Sequence, residues 1–327
     1  MTEGARQSRG DLVSVVVPTY NRAGMLGDAI RSVAAQTYAH WELVVVDDGS
    51  TDGTGDLVAR LADELGDGRI RYFRQEHAGA PASRNRGFEE TRGRYLHFLD
   101  SDDILDPDML GARTVALVDA GAEVSFGPCV YETLRDGKPC RTSVPGESVP
   151  LPEGVSMLQA VLRGRFVNPS RSVYTRDLLE RVGPWDEQLT RAQDTDYSFR
   201  IAALQPGIIF SAGAPAIFRG HGPGQITART GPDVERSLRR VFEKLEADLH
   251  ARGLFEGHRA EIACAYAFYG MHVLEQCPEL SAEFTRRSRE LGPPVAPFLG
   301  GLTGLIWRTL GFGAALAARK MKRMLWP

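Results

Sequence analysis

The sequence predicts an α/β protein: a doubly wound, mostly parallel sheet followed by a helical C-terminal region. Three observations predict it. Strand-like and helix-like segments alternate through the first hundred residues, the order of βαβ units. The strand-like runs are short, β-branched and apolar on both faces, as strands covered by helices on either side must be. From Asp233 onward the pattern is helical, with Val234, Leu238, Val241, Phe242, Leu245 and Leu249 on one face and charged residues opposite.

Taken in order, Val13–Val17 is the first strand, too short for a helix. Gly24–Gln36 is a helix, because Met25, Leu26, Ile30 and Val33 recur at helical spacing. Leu43–Val46 is the second strand, Asp47–Gly53 a polar turn and Thr54–Leu65 a helix. A strand at Arg69–Phe73, a helix from Pro81 and a strand at Tyr95–Leu99 complete the alternation. In such sheets ligands sit outside the carboxyl ends of the strands, so the loops to inspect are Pro18–Arg22, Asp47–Asp52, Arg74–Pro81 and Asp100–Asp103.

Next comes a helix at Asp108–Asp119, with Asp106 as its cap and Pro107 in its first turn. A single strand over Val124–Val130, a Pro/Gly-rich surface loop to Glu153 and helix–turn–helix character over Ser156–Glu180 follow. Another helix covers Arg259–Glu275. The implied boundary lies near residue 231. It divides a domain over 1–231, with halves 13–106 and 107–231, from a helical region over 232–327.

The chain has 327 residues, 43% of them hydrophobic and 25% charged, so disorder throughout is excluded. A net charge of −3 gives no electrostatic case for nucleic acid as a partner. Cys129, Cys140, Cys264 and Cys277 form no Cys-x-x-Cys pair and read as free thiols of a reducing compartment. The N-terminus is polar and carries no secretory pattern, so a cytoplasmic location is expected.

The densest chemical signal is Asp100-Ser101-Asp102-Asp103, directly after a strand. Two carboxylates at i and i+2 of an extended segment project to one side, and a third follows. Three like charges there repel unless a cation neutralises them. All-oxygen donors suit Mg²⁺ or Mn²⁺ rather than zinc. Helix capping is the competing explanation; it accounts for Asp106 and leaves the other three unassigned.

Asp47-Asp48-Gly49-Ser50-Thr51-Asp52-Gly53 offers Asp48 as acceptor for an imide or ribose hydroxyl, while Asp52 and Thr54 suit a capped turn. In Gly79-Ala80-Pro81-Ala82-Ser83-Arg84-Asn85-Arg86-Gly87 a loop enters a helix N-terminus able to meet anionic oxygens. Arg84 can pair there with a phosphate or with the acidic cluster. No GxGxxG or Walker sequence is present, which disfavours dinucleotide and P-loop readings.

VSVVVPTYNR, VVVDDGSTDGT, GAPASRNRG and YLHFLDSDD, in this order and at these spacings, resemble the nucleotide-sugar-binding half of a family 2 glycosyltransferase of GT-A fold. More loosely, Gly183-Pro184-Trp185-Asp186-Glu187 and Asp194 resemble that family's acceptor-side segment. The resemblance implies inverting transfer of a sugar from a nucleotide-sugar donor, expected to be a UDP-sugar. The acceptor would be a hydroxyl of a carbohydrate or glycoconjugate, and the cofactor Mn²⁺ or Mg²⁺.

By the same resemblance, Pro18, Thr19 and Tyr20 would frame base and ribose, and Asp48 would hold the uracil edge. Arg84 would lie near the diphosphate, Asp100 at the ribose side, and Asp102 on the metal. His221 resembles a histidine that completes the metal site in some members, and a polar loop histidine is the competing reading. Asp194 would be the general base. The family's usual Glu-Asp pair is Gln193-Asp194 here, which makes Asp196 a competitor for the role.

Two other functions are weighed. A sugar nucleotidyltransferase wants a Gly-rich N-terminal loop with a basic residue, which Pro18–Arg22 does not supply. An inactive nucleotide-sugar binder or scaffold is suggested by Gln193. Trp185 reads as a sugar-stacking platform or as core. The segment Val295–Ala318 is apolar but interrupted by Arg308, short of the about 20 apolar residues of a membrane span. It reads either as an interfacial helix or as a helix docked on its own domain. In the first case Phe298, Leu302, Leu305 and Ile306 meet lipid, and Arg319–Arg323 meet an anionic membrane surface.

Overall fold

In the computed structural model the described residues are 11–66, 68–135, 138–143, 148–165, 169–220 and 232–297. The chain begins β1 (Val13–Thr19), α1 (Ala23–Ala34), β2 (Trp41–Asp47), α2 (Thr54–Leu65), β3 (Ile70–Arg74), α3 (Ala80–Glu90) and β4 (Tyr95–Phe98). It continues β5 (Ile104–Leu105), α4 (Met109–Ala120), β6 (Val124–Phe126), β7 (Cys129–Arg135), β8 (Lys138–Ser143), α5 (Met157–Leu162) and β9 (Ser172–Thr175). Then come α6 (Arg176–Val182), α7 (Gln193–Ala203), β10 (Ile208–Phe210), β11 (Ala216–Arg219), α8 (Pro232–Ala251), α9 (Arg259–His272) and α10 (Pro278–Leu291).

By compactness these elements fall into two units. The first unit is Met1–Pro150, Val167–Leu189 and Pro206–Pro223; the second is Leu151–Phe166, Thr190–Gln205 and Gly224–Pro327.

In the first unit a seven-stranded sheet has the order β10-β6-β9-β4-β1-β2-β3. β1 pairs in parallel with β2 and β4, β2 with β3, and β6 with β10, while β9 alone runs antiparallel between β4 and β6. The sheet is therefore mostly parallel, as the alternation predicts. Val13, Val15 and Val17 of β1 join Leu26, Ile30 and Val33 of α1 in the main core, all buried. Each such side chain contributes about 1.5–3 kcal/mol on burial. The opposite face of β1 is pressed by α3. A Cβ on Gly87 would collide with the side chain of Val16, so only glycine lets this helix approach.

Four expectations are corrected here. Val124–Val130 is not one strand: Gly127-Pro128 break it into β6 and β7, which belong to different sheets, because Pro128 offers no N–H to a ladder. The stretch after it is not loop alone, since β7 and β8 form a hairpin in the second sheet, ordered β5-β11-β7-β8. Pro139 is tolerated because β8 is that sheet's edge. Helix–turn–helix character over Ser156–Glu180 hides β9, too short to show a period between two helices. Finally, α4 begins after Asp108, one residue later than expected, and the Asp106 Oδ1 accepts from the Asp108 N–H at 3.2 Å in the turn that leads into it.

His97 on β4 is fully buried, with Nδ1 2.8 Å from the Ser172 carbonyl and Nε2 without a hydrogen-bond partner among the described residues. Burial first, and then the Arg113 charge, push its pKa down from 6.5 to about 4. Between those values the unfolded chain binds a proton that the folded chain refuses, so stability falls as pH drops from about 6.5 to about 4. The full loss amounts to about 3 kcal/mol. Urea titrations at pH 7 and pH 4.5 should show this loss, and His97→Gln should reduce the pH dependence over that interval. An unchanged slope in the variant would remove His97 as its source.

The second unit is helical. Ser156 caps α5 in a reciprocal box with Gln159. Phe242 of α8 packs against Phe199 of α7, Tyr266 and Tyr269 of α9 and Phe284 of α10. The helical expectation from Asp233 thus holds, and α5 and α7 join that unit by their apolar faces. Among the described residues no helix is long and apolar enough to cross a membrane. The tail from Phe298, with Arg308 and Arg319–Arg323, lies outside the described residues. All four cysteines are free thiols.

Candidate active site

β1 to β4 are parallel, so the loops after them open on one edge of the sheet, on either side of the point where strand order reverses. Side chains stitch these loops together. The Asn21 N–H donates to Ser50 Oγ at 2.8 Å, and Asn21 Oδ1 accepts from the Thr51 N–H at 2.8 Å. Asp52 accepts from Ala23 N–H and from Thr54, the capped turn the sequence predicts.

Pro18 lies in the β1 ladder opposite Val46. Thr19 is buried beside it, its carbonyl accepting from Asp48 N–H at 2.9 Å. Asp48 is only 2% exposed. Its carboxylate accepts from Gln75 Nε2 at 2.8 Å, Ala78 N–H at 2.9 Å and Gly79 N–H at 2.8 Å, and lies 2.7 Å from His77 Nδ1. Asp48 thereby shapes the loop after β3. Gly49, at φ +84°, makes room: a Cβ there would meet the His77 backbone nitrogen at 3.2 Å. The result is an exposed ring stack of Tyr20 on His77, centroids 4.1 Å apart.

Asp100, Asp102 and Asp103 converge, each offering one carboxylate oxygen within 4.8 Å of those of the other two. The turn that brings them together closes through the Asp103 N–H donating to the Asp100 carbonyl. Two of the three carboxylates have guanidinium partners, so the repulsion expected from the sequence is compensated in part without a metal ion. Arg84 Nη2 donates to Asp100 Oδ1 at 2.8 Å, and Arg22 Nη1 donates to Asp102 Oδ2 at 2.8 Å. Ser170 Oγ donates to Asp100 Oδ2 at 3.2 Å. Arg219 gives its N–H to Asp103 Oδ1 and its Nε to the Asp102 carbonyl. Burial, and then the Asp100 and Asp102 charges, hold the Asp103 carboxyl well above the usual carboxylate range.

Three carboxylates offering only oxygen donors in this small space fit a hard divalent cation. His221 lies outside the described residues. Arg84 is 6% exposed, lodged between Asp100 and the ring of Trp185 at 4.5 Å, so it takes the acidic cluster as its partner. Trp185 is 3% exposed and edge-on to Phe98, a core residue rather than a sugar platform. Asn85 holds it there, accepting from its N–H at 2.7 Å and donating to its carbonyl at 3.0 Å.

In the second unit, Asp194 occupies the first turn of α7, half-buried, where aligned peptide dipoles favour a negative charge. Burial, and then the Asp194 charge, push up the pKa of the Tyr269 hydroxyl, which meets Thr195 Oγ1 at 3.1 Å. Asp196 is 2% exposed and bound to Arg200 at 3.0 Å and Lys244 at 2.6 Å. Its carboxylate is a tie between α7 and α8.

The sequence reading singled out neither Arg22, His77 nor Arg219. Arg22 could have been noticed as the cation next to Pro18–Asn21; Arg219, 116 residues from Asp103, carried no local signal.

The family model described as glycosyl transferase family 2 matches residues 14–182. TuaG of Bacillus subtilis, named for teichuronic acid biosynthesis, is 40% identical over 116 residues, 35% of this chain and 45% of TuaG. WfgD of Escherichia coli, named as a UDP-Glc:α-D-GlcNAc-diphosphoundecaprenol β-1,3-glucosyltransferase, is 32% identical over 164 residues, 48% of this chain and 62% of WfgD. The chain thus spans less than two thirds of either relative. Staphylococcus aureus TarS 1–349 in complex with UDP-GlcNAc superposes with a TM-score of 0.69 at 18% identity, over 95% of this chain and 91% of that one. This likeness shows a shared GT-A fold.

Proposed function

Because the chain belongs to glycosyl transferase family 2, we propose that it moves a sugar from a UDP-sugar to a hydroxyl of a carbohydrate or glycoconjugate acceptor, with inversion. The observation that carries this reading is the meeting of four motif loops at one sheet edge around Asp100, Asp102 and Asp103. The UDP-GlcNAc complex of TarS and the donor in WfgD's name support uracil as the base.

In this reading Thr19 and the exposed Tyr20 flank the base, and Asp48 sets the loop that carries His77 against Tyr20. Asp100 lies at the ribose side, braced by Arg84 and Ser170. Asp102 is the principal metal ligand, with His221 assigned as its companion. A bound Mn²⁺ or Mg²⁺ supplies countercharge to the departing diphosphate. The acceptor hydroxyl is a poor nucleophile, and Asp194 removes its proton. A single general base calls for one in-line displacement, so the anomeric centre inverts.

A thermal-shift panel of UDP, GDP, dTDP and their sugars, with and without Mn²⁺, tests the donor. UDP and one UDP-sugar should raise Tm, and more so with Mn²⁺. A shift confined to GDP compounds would overturn the choice of base, and none with any nucleotide would overturn the reading.

A further inference from the structure

We propose that Arg22 is a built-in counter-cation of Asp102, so that a divalent ion loads onto the carboxylate triad together with a nucleotide diphosphate and not ahead of it. The proposal rests on the reading above, in which Asp102 is a metal ligand.

Arg22 is fixed at its root. It precedes α1, and its carbonyl accepts from the N–H groups of Met25 and Leu26, both at 2.9 Å. From there its guanidinium reaches Asp102 at 2.8 Å, with both side chains more than three-quarters buried. Asp100 and Asp28 nearby are matched in the same way. Arg84 holds Asp100 at 2.8 Å, and Arg219 holds Asp28 at 2.7 Å while bonding the Asp102 carbonyl. Asp103 accepts from the Arg219 backbone.

A divalent ion arriving alone therefore meets two of the three carboxylates already paired, with a guanidinium on the Asp102 carboxylate it would share. In a partly buried site that repulsion is weakly screened. A nucleotide diphosphate changes the balance. It brings negative charge, and its oxygens suit the planar fork of Arg22 as well as Asp102 does. Arg22 can then pass from carboxylate to phosphate, leaving Asp102 to the ion. Ion and nucleotide each favour the other, and linkage makes the coupling reciprocal.

The test is Mn²⁺ binding to the full chain, read from the EPR signal of the free ion, with and without UDP. Arg22→Met, Arg22→Lys and Asp102→Asn are compared with the parent chain. The parent should bind Mn²⁺ weakly alone and at least about tenfold more tightly with UDP. Arg22→Met should bind Mn²⁺ alone about tenfold more tightly than the parent, and the UDP enhancement should shrink by a similar factor. Arg22→Lys keeps the charge and should stay with the parent, a distinction that loss of packing alone would not produce. Where Arg22→Met does not fold, Arg22→Gln makes the same comparison.

If Arg22→Met binds Mn²⁺ alone no better than the parent while Asp102→Asn loses the ion, the proposal fails and the metal reading stands. If no form binds Mn²⁺ with or without UDP, yet UDP still raises Tm, the metal reading fails and takes the proposal with it.

Discussion

Asp194→Asn should lower turnover about 10²–10⁴-fold while the affinity for UDP stays within about twofold. The substitution keeps size and shape and removes only the proton acceptor, so the loss should appear in kcat and not in donor binding. Initial rates with a UDP-sugar, paired with nucleotide thermal shifts on the same preparation, separate the two quantities. The control is Asp196→Asn. Asp196 is buried against Arg200 and Lys244, so its loss should destabilise the second unit, by about 2 kcal/mol once the partial exposure of those cations is discounted. Near-normal turnover in Asp194→Asn, or a catalytic loss confined to Asp196→Asn in folded protein, would show that the base is misassigned.

Asp102→Ala should abolish the Mn²⁺-dependent part of donor binding and lower kcat/KM by at least about a hundredfold. Two effects combine. A hard ligand is lost, and Arg22 is left beside the diphosphate site without its carboxylate partner. Asp102→Asn retains the shape and a neutral acceptor, so it should lose metal dependence while keeping most of the Mn²⁺-independent UDP shift. If Asp102→Ala retained full Mn²⁺ stimulation of donor binding, the ion would sit elsewhere and the triad would be a structural turn.

Much of the fold was legible because its signals are local. The doubly β-branched runs at Val13–Val17 and Leu43–Val46, and the helical spacing of Leu26, Ile30 and Val33, depend on neighbours a few positions away. β9 was illegible for the converse reason. Four residues between two helices carry no period, and only pairing with β4 and β6 makes them a strand. Gly127-Pro128 was present as a break signal, but where the chain went afterwards was settled by β11, which pairs with β7 from far along the chain.

At the candidate site the division is sharper. By itself the sequence determined which carboxylates stand at strand ends, because strand and turn are specified within about ten residues. It thereby named Asp48, Asp100, Asp102 and Asp103 and the loops that hold them. Only the tertiary structure decided what those groups are bonded to. Arg22 lies 80 positions from Asp102, and Arg219 lies 116 from Asp103. Lys244 reaches Asp196 from a different helix. Compensation of charge acts through distance in space, over a few ångströms in a poorly screened interior, and spacing along a chain does not encode that distance.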